Sequence, residues 1–177
     1  MNIVKKLSLA VVTAALLGIL SSQRAHAVNP DSMQVTITVA TALSVDITGD
    51  PYDFGTQAAS VTTISTRAIT ITNDSGGRTE DYTISGSSTT NWNIGATPGA
   101  DQFALFAILN STRLQANDFH ATNDDLTDSA QNMSSTLFSG DQNGDDVVDA
   151  ATRNLWFRLD TPTSSGSQAE QSITVTV

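Results

Sequence analysis

The sequence contains no cysteine, and lysine occurs only at Lys5 and Lys6. Disulfides, which hold many small exported domains together, are therefore excluded, and the chain depends on its core for stability. The absence of lysine after residue 27 also excludes lysine–asparagine isopeptide cross-links in that part. The 150 residues that follow residue 27 are enough to bury a sizeable core in one domain.

Basic side chains are scarce along the whole chain. After residue 27, five arginines stand against 18 acidic residues, which gives a net charge of −13. Nucleic acids and anionic membrane surfaces need a basic patch on their protein partner, so neither is an expected partner. The remaining ionic partners are cations, although acidity also keeps an exported protein soluble.

The first 27 residues have the three parts of a secretory signal peptide. Lys5 and Lys6 form a positive start, residues 7–20 form an apolar run, and Ala25-His26-Ala27 is an A-x-A cleavage site. The run is short for a membrane-spanning helix, which needs about 20 apolar residues. We expect a signal-peptide helix in residues 1–27 and cleavage before Val28. The product, residues 28–177, is then secreted or on the cell surface of a bacterium, with no membrane attachment.

The remainder reads as short strands separated by turn residues. Seven stretches are rich in β-branched or aromatic residues: MQVTITVATALSVDI, VTTISTRAITITN, EDYTISG, QFALFAIL, STLF, LWFRLD and QSITVTV. QFALFAIL also fits a short buried helix by periodicity alone, but its Phe and Ile content favours a strand. About eight to ten strands predict an all-β fold, namely a single β-sandwich of immunoglobulin-like or jelly-roll type in residues 28–177. Residues 116–133 are polar and weakly patterned, and we expect them to be the least ordered part.

Two stretches resemble known secreted proteins. DFGTQAASVTTISTRAITITNDSGGRTEDYTISG looks like the strand–turn–strand pattern of bacterial surface β-sandwiches, and NLWFRLDTPTSSGSQAEQSITVTV is similar to the closing strands of fibre-type proteins. The latter include the biofilm-fibre group of TasA- and camelysin-like proteins and the spore-coat-U-like pilins. The chain departs from these groups because it lacks the pilin disulfide and the W-x-L signature of cell-wall β-domains. The resemblance implies a surface β-sandwich and assigns no functional residue.

Acidic and amide side chains recur within SGDQNGDDVVDAATRN, residues 139–154. Numbered from Asp141, the oxygen donors stand at positions 1, 3, 5 and 9, which is the spacing of a calcium loop of EF-hand or dockerin type. The predicted ligands are Asp141, Asn143, Asp145, the backbone carbonyl of Val147, and Asp149. Two features of such loops are absent, since the glycine is at position 4 and position 12 is a threonine. The alternatives are therefore a weakly bound structural calcium ion and a solvated acidic hairpin loop.

Other polar and aromatic residues have simpler interpretations. Asp118, Asp124, Asp125 and Asp128 form a second, irregular acidic group, and His120 is the single histidine after residue 27. We expect His120 to be solvated. Trp92 and Trp156 fall on predicted strands, where a core position is more typical than a sugar-stacking platform. Asn73, Asn110 and Asn132 lie in N-x-S/T sequons, which are weak evidence of glycosylation in a chain with a bacterial type of signal peptide.

Catalysis has little support in the sequence. The chain has no cysteine nucleophile and no G-x-S-x-G elbow, and zinc would find few nitrogen or sulfur ligands. Two functions compete. One is a non-enzymatic structural subunit of a fibre, pilus-like filament or surface layer, which self-associates through edge strands such as residues 33–47. The other is a secreted, calcium-dependent module that binds a carbohydrate or a protein.

Overall fold

The computed structural model describes residue 36 and residues 43–177, which form an almost purely β structure. Nine strands and one short 3₁₀ turn make up this part of the chain. The strands are β1 (Val45–Thr48), β2 (Thr62–Ile64), β3 (Ile69–Asn73), β4 (Thr83–Gly86), β5 (Asn93–Ile94), β6 (Gln102–Leu109), β7 (Gln131–Asn132), β8 (Thr152–Asp160) and β9 (Val175–Thr176). The 3₁₀ turn covers Ala116–Asp118. The all-β fold class is thus confirmed.

The larger sheet has six strands, with β6 and β8 at its centre. Its order is β1-β3-β8-β6-β5, and β2 pairs with β8 beyond the end of β3. β8 and β6 run antiparallel, from Ala104 opposite Asp160 to Leu109 opposite Leu155. The long β8 therefore has β6 on one side and both β3 and β2 on the other.

The smaller sheet consists of short strands in the order β7-β4-β9. Both of its pairings are antiparallel. Ile84 of this sheet belongs to the same buried cluster as Ile71 of β3 and Leu105 of β6, and Val175 of β9 packs against it. The two sheets therefore share one main core.

β6 is buried on both of its faces. Phe103, Leu105, Ala107 and Leu109 point into the main core, whereas Ala104, Phe106 and Ile108 belong to a second cluster with Phe119 and Trp156. A strand covered on both faces is expected to be a continuous apolar run rather than an alternating one. This explains the sequence QFALFAIL and confirms that it is a strand.

The Arg158 side chain attaches the 3₁₀ turn to the outer face of the larger sheet. Its Nη1 atom donates to the carbonyl oxygens of Ala116 and Phe119 at 3.0 Å each. Its other nitrogens form a paired contact with the Asp160 carboxylate, at 3.1 and 2.7 Å. The guanidinium carbon lies 4.1 Å from the centre of the Phe106 ring. This one side chain thus closes the second cluster.

Three expectations from the sequence were wrong in detail. Residues 135–138 (STLF) form bends instead of a strand, and Phe138 has a φ of 58° with its ring fully buried. The last stretch contributes only Val175–Thr176 to a sheet. Residues 116–133 are not a loose loop, because their apolar side chains Phe119, Leu126 and Met133 are buried.

The predicted N-terminal features lie mostly outside the described residues. These include the signal peptide in residues 1–27 and nearly all of residues 33–42. The end of the predicted strand 33–47 is present as β1, which pairs with β3 from Val45 opposite Asn73 to Thr48 opposite Thr70.

Candidate functional site

The predicted acidic loop is anchored to three different parts of the domain. The Asp141 carboxylate accepts hydrogen bonds from the backbone N–H and the hydroxyl of Ser111. Asp145 Oδ2 accepts from the Ser135 backbone N–H at 3.0 Å, and Asp149 Oδ1 accepts from the Gly76 N–H at 3.0 Å. These carboxylates therefore satisfy backbone donors of separate loops and do not converge on one point.

The other two predicted ligands are also engaged. Asn143 Oδ1 accepts from the Asp145 N–H at 3.2 Å, which is a local turn contact. The carbonyl oxygen of Val147 accepts from the Glu80 N–H at 3.0 Å and from Asn73 Nδ2 at 2.7 Å. A carbonyl oxygen has two lone pairs, so that of Val147 has none free for an ion in this arrangement.

The glycine of the loop has a structural explanation. Gly144 donates its N–H to the Met133 carbonyl at 2.7 Å, and its own carbonyl accepts from the Tyr82 N–H at 2.8 Å. A Cβ atom at this position would lie 2.7 Å from atoms of Met133 and 3.1 Å from the Tyr82 Cβ. The loop therefore inserts between two other segments, and the glycine at position 4 serves this close approach.

No group of three or more acidic, histidine or cysteine side chains in residues 43–177 is arranged to hold a metal ion. Calcium binding stays a prediction. It would require the carboxylates of Asp141, Asp145 and Asp149 to exchange their present backbone donors for the ion, with Val147 excluded as a ligand. Asp141 has a further reason to remain charged, because the two hydrogen bonds from Ser111 lower the pKa of its carboxyl.

The second acidic group is scattered rather than clustered at one site. Asp124 is buried, and its Oδ2 accepts from the His120 backbone N–H at 2.6 Å. The Asp124 carboxylate also lies 3.6 Å from His120 Nδ1. Burial raises the pKa of Asp124, and the contacts with His120 oppose that shift. Asp118 instead accepts from the Gln115 N–H beside the 3₁₀ turn. The His120 side chain is 69% exposed, so it is solvated as expected.

The two tryptophans differ in their surroundings. Trp156 is buried in the second cluster, and its Nε1 donates to the Asn110 carbonyl at 2.9 Å. Trp92 is partly exposed, with its Nε1 bonded to Ser165 Oγ at 2.8 Å and its ring centre 6.5 Å from that of Phe103. Trp156 is therefore a core residue, and a stacking surface is conceivable only at Trp92.

The three sequons are not equally accessible. Asn73 and Asn110 are buried, and their side-chain amides donate to backbone carbonyls. Asn132, on β7, is exposed. Only Asn132 could therefore receive a glycan without disturbing the core.

A groove at the beginning of β1 and the end of β9 was not predicted from the sequence. Its volume is about 400 Å³, and Leu43, Val45, Tyr82 and Val177 contribute to its lining. Glu80, also in the lining, is 8% exposed and accepts a hydrogen bond from the Ser44 N–H at 3.3 Å. The apolar residues of this groove come from both ends of the described chain, which is why sequence spacing did not reveal it.

The Tyr82 hydroxyl is the unusual atom of this groove. Tyr82 is only 4% exposed, and its buried hydroxyl has no hydrogen-bond partner among the described residues. Burial raises the pKa of Tyr82 to about 12, with a smaller contribution from the negative charge of Glu80. The hydroxyl therefore stays protonated at neutral pH and can serve as a donor.

Among the described residues, no helix is long and apolar enough to span a bilayer. Comparison of the chain with protein-family models, with curated proteins and with solved structures found no match.

Proposed function

We propose that this chain is a secreted, non-enzymatic structural subunit of an extracellular surface assembly, such as a fibre, a pilus-like filament or a surface layer. In this proposal the mature domain is a single β-sandwich of immunoglobulin-like or jelly-roll type. The main core shared by the two sheets supports that architecture. The signal-type N-terminus supports export.

One observation carries the proposal, namely the open outer side of β1. Within residues 43–177, β1 is the last strand of the larger sheet and pairs only with β3. Such an edge presents unpaired main-chain N–H and C=O groups that can pair with another chain. Natural edges are commonly protected by lysine, proline or inward-pointing charges. β1 has none of these, because its single charged residue, Asp46, points outward and is exposed.

Electron microscopy and sedimentation of the exported protein test the proposal. The protein should begin at Val28, and it should form filaments or sheets at high concentration. Dispersed monomers at every concentration would contradict the proposal. An N-terminus at Met1 would contradict export with cleavage.

The second candidate function is a calcium-dependent module that binds a carbohydrate or a protein. The concentration of carboxylates in residues 141–149, two of which are exposed, and the partly exposed ring of Trp92 favour it. Its test is glycan-array binding with and without calcium. Binding that requires calcium and is lost in Trp92→Ala, together with a monomeric protein, would favour this candidate over the structural subunit.

A further inference from the structure

The groove beside β1 is incomplete in two respects. The buried Tyr82 hydroxyl has no partner among the described residues, which lowers stability relative to a paired hydroxyl. Leu43, at the rim, is 74% exposed, and Val148 is the only other large apolar side chain of residues 43–177 that is exposed. An exposed leucine beside an apolar groove is typical of a contact surface.

The path of the chain indicates what could complete the groove. β1 starts at Val45, opposite Asn73, which is the last residue of β3. Residues upstream of Ser44 therefore lead past the end of the larger sheet. A tight reversal that would return them to their own β1 needs glycine, asparagine or aspartate, and residues 34–45 contain none of these.

The same upstream residues have the pattern of a strand. Val35, Ile37 and Val39 alternate with Thr36 and Thr38, and residues 32–45 carry no charged side chain. Copies with a net charge of −13 repel each other, so a contact between copies has to use an uncharged part of the chain. Glu80 and Asp81 in the groove lining also disfavour an anionic occupant.

We propose that the groove of one copy receives residues 34–42 of a second copy, which add a β-strand beside β1 and pack their apolar face between Leu43, Val45 and Val177. The proposal rests on the proposed function and specifies its interface. Strand addition supplies main-chain hydrogen bonds, and the groove selects the alternating side chains. A main-chain carbonyl of the added strand can accept the hydrogen bond that Tyr82 does not make within its own chain.

The absence of cysteine makes a cross-linking experiment specific. Two exported variants of the full chain, Thr38→Cys and Thr79→Cys, are mixed and treated with a short bismaleimide. Thr79 lines the groove and is exposed. The expected result is a covalent heterodimer, because the two cysteines reside on different copies. The control pairs Thr38→Cys with Gln168→Cys, which is exposed outside the groove lining, and should give little product.

Two further variants test the groove by itself. Leu43→Asp should reduce the yield of heterodimer, because a carboxylate without a partner in an apolar contact weakens association by about tenfold or more. Val148→Asp introduces the same charge at the other exposed apolar position and should leave the yield unchanged. A double variant, Thr38→Cys with Thr79→Cys, that gives mainly monomers cross-linked within one chain would overturn the proposal, since the segment then occupies its own groove.

Sedimentation of the same samples separates this inference from the proposed function. If the protein forms assemblies but Thr38 and Thr79 cross-link no better than the control pair, the groove proposal is wrong and the structural role remains. If no assembly forms at any concentration, both are wrong.

Discussion

Gly144 lies between two backbone segments, and this position makes its substitution informative. Gly144→Ala should lower the free energy of unfolding by about 1–3 kcal/mol, because the added methyl group would overlap atoms of Met133 that lie 2.7 Å away. Gly99→Ala is the matched control, since its added Cβ atom would meet the nearest atom of Gln102 at an ordinary 3.6 Å. Denaturant unfolding measures both. Equal stabilities for the two variants would show that the acidic loop is not inserted as described.

Asp141 should contribute stability that acid removes. The hydrogen bonds from Ser111 hold the pKa of Asp141 below its ordinary value of 3.8 in the folded state. Its contribution is therefore complete above the unfolded value and is lost as the pH falls through the folded pKa. Melting temperatures between pH 7 and pH 2 should show a shallower acid-induced decline for Asp141→Asn than for the unsubstituted protein. An unchanged acid limb would mean that the contact with Ser111 does not persist in solution.

Asp124 should act in the opposite direction. Burial raises its pKa above 3.8, so the folded protein retains this proton when the unfolded chain has lost it. Stability must then fall as the pH rises from the ordinary value to the raised pKa. Asp124→Asn keeps an oxygen for the His120 N–H and removes the titration. We therefore expect the difference in stability between the variant and the unsubstituted protein to shift in favour of the variant across this window. A difference that stays constant with pH would contradict the buried position.

At the scale of elements, the cover of the second cluster depends on Arg158. Arg158→Lys cannot reproduce the paired contact with Asp160 and the two bonds to the carbonyls of Ala116 and Phe119 at the same time. We expect a loss of about 1–3 kcal/mol in the free energy of unfolding. Amide exchange should become faster around the 3₁₀ turn and stay slow in β6. Arg78→Lys, at an exposed position, should change stability by less than about 0.5 kcal/mol. Uniformly faster exchange in the Arg158 variant would show that the turn is not a separate cover.

Local patterns predicted the elements only where one rule determined them. QFALFAIL was identified as a strand because Phe and Ile favour strands, and its continuous run also indicated burial on both faces. STLF failed because Phe138 reaches the core from a backbone with positive φ, which strand propensity does not anticipate. Residues 116–133 failed because Phe119, Leu126 and Met133 are seven residues apart, a spacing without strand or short-helix periodicity. The core there is filled from irregular chain, and only tertiary structure reveals it.

At the scale of the whole molecule, the sequence located the acidic loop but not the direction of its carboxylates. Asp141, Asp145 and Asp149 have the spacing of a calcium loop, yet their partners Ser111, Ser135 and Gly76 come from distant parts of the chain. Spacing within one loop carries no information about donors that the fold brings to it. The groove beside β1 could not be predicted for the same reason, since Leu43 and Val177 become neighbours only in the folded chain.

Calcium provides the last test, and the net charge of −13 determines its control. Any cation screens the repulsion in so acidic a chain, so the melting temperature should be compared in calcium chloride and in sodium chloride at equal ionic strength. If calcium binds the folded state alone, it stabilises that state by about 1.4 kcal/mol at a free concentration of ten times Kd. The ion must displace backbone hydrogen bonds of Asp141, Asp145 and Asp149, so we expect a millimolar Kd, as in extracellular modules. The rise beyond that in sodium should vanish in Asp141→Ala with Asp145→Ala. This double variant should also melt lower than the unsubstituted protein without calcium, because it loses the contacts with Ser111 and Ser135. Equal rises in the two salts would leave these carboxylates with a purely structural role.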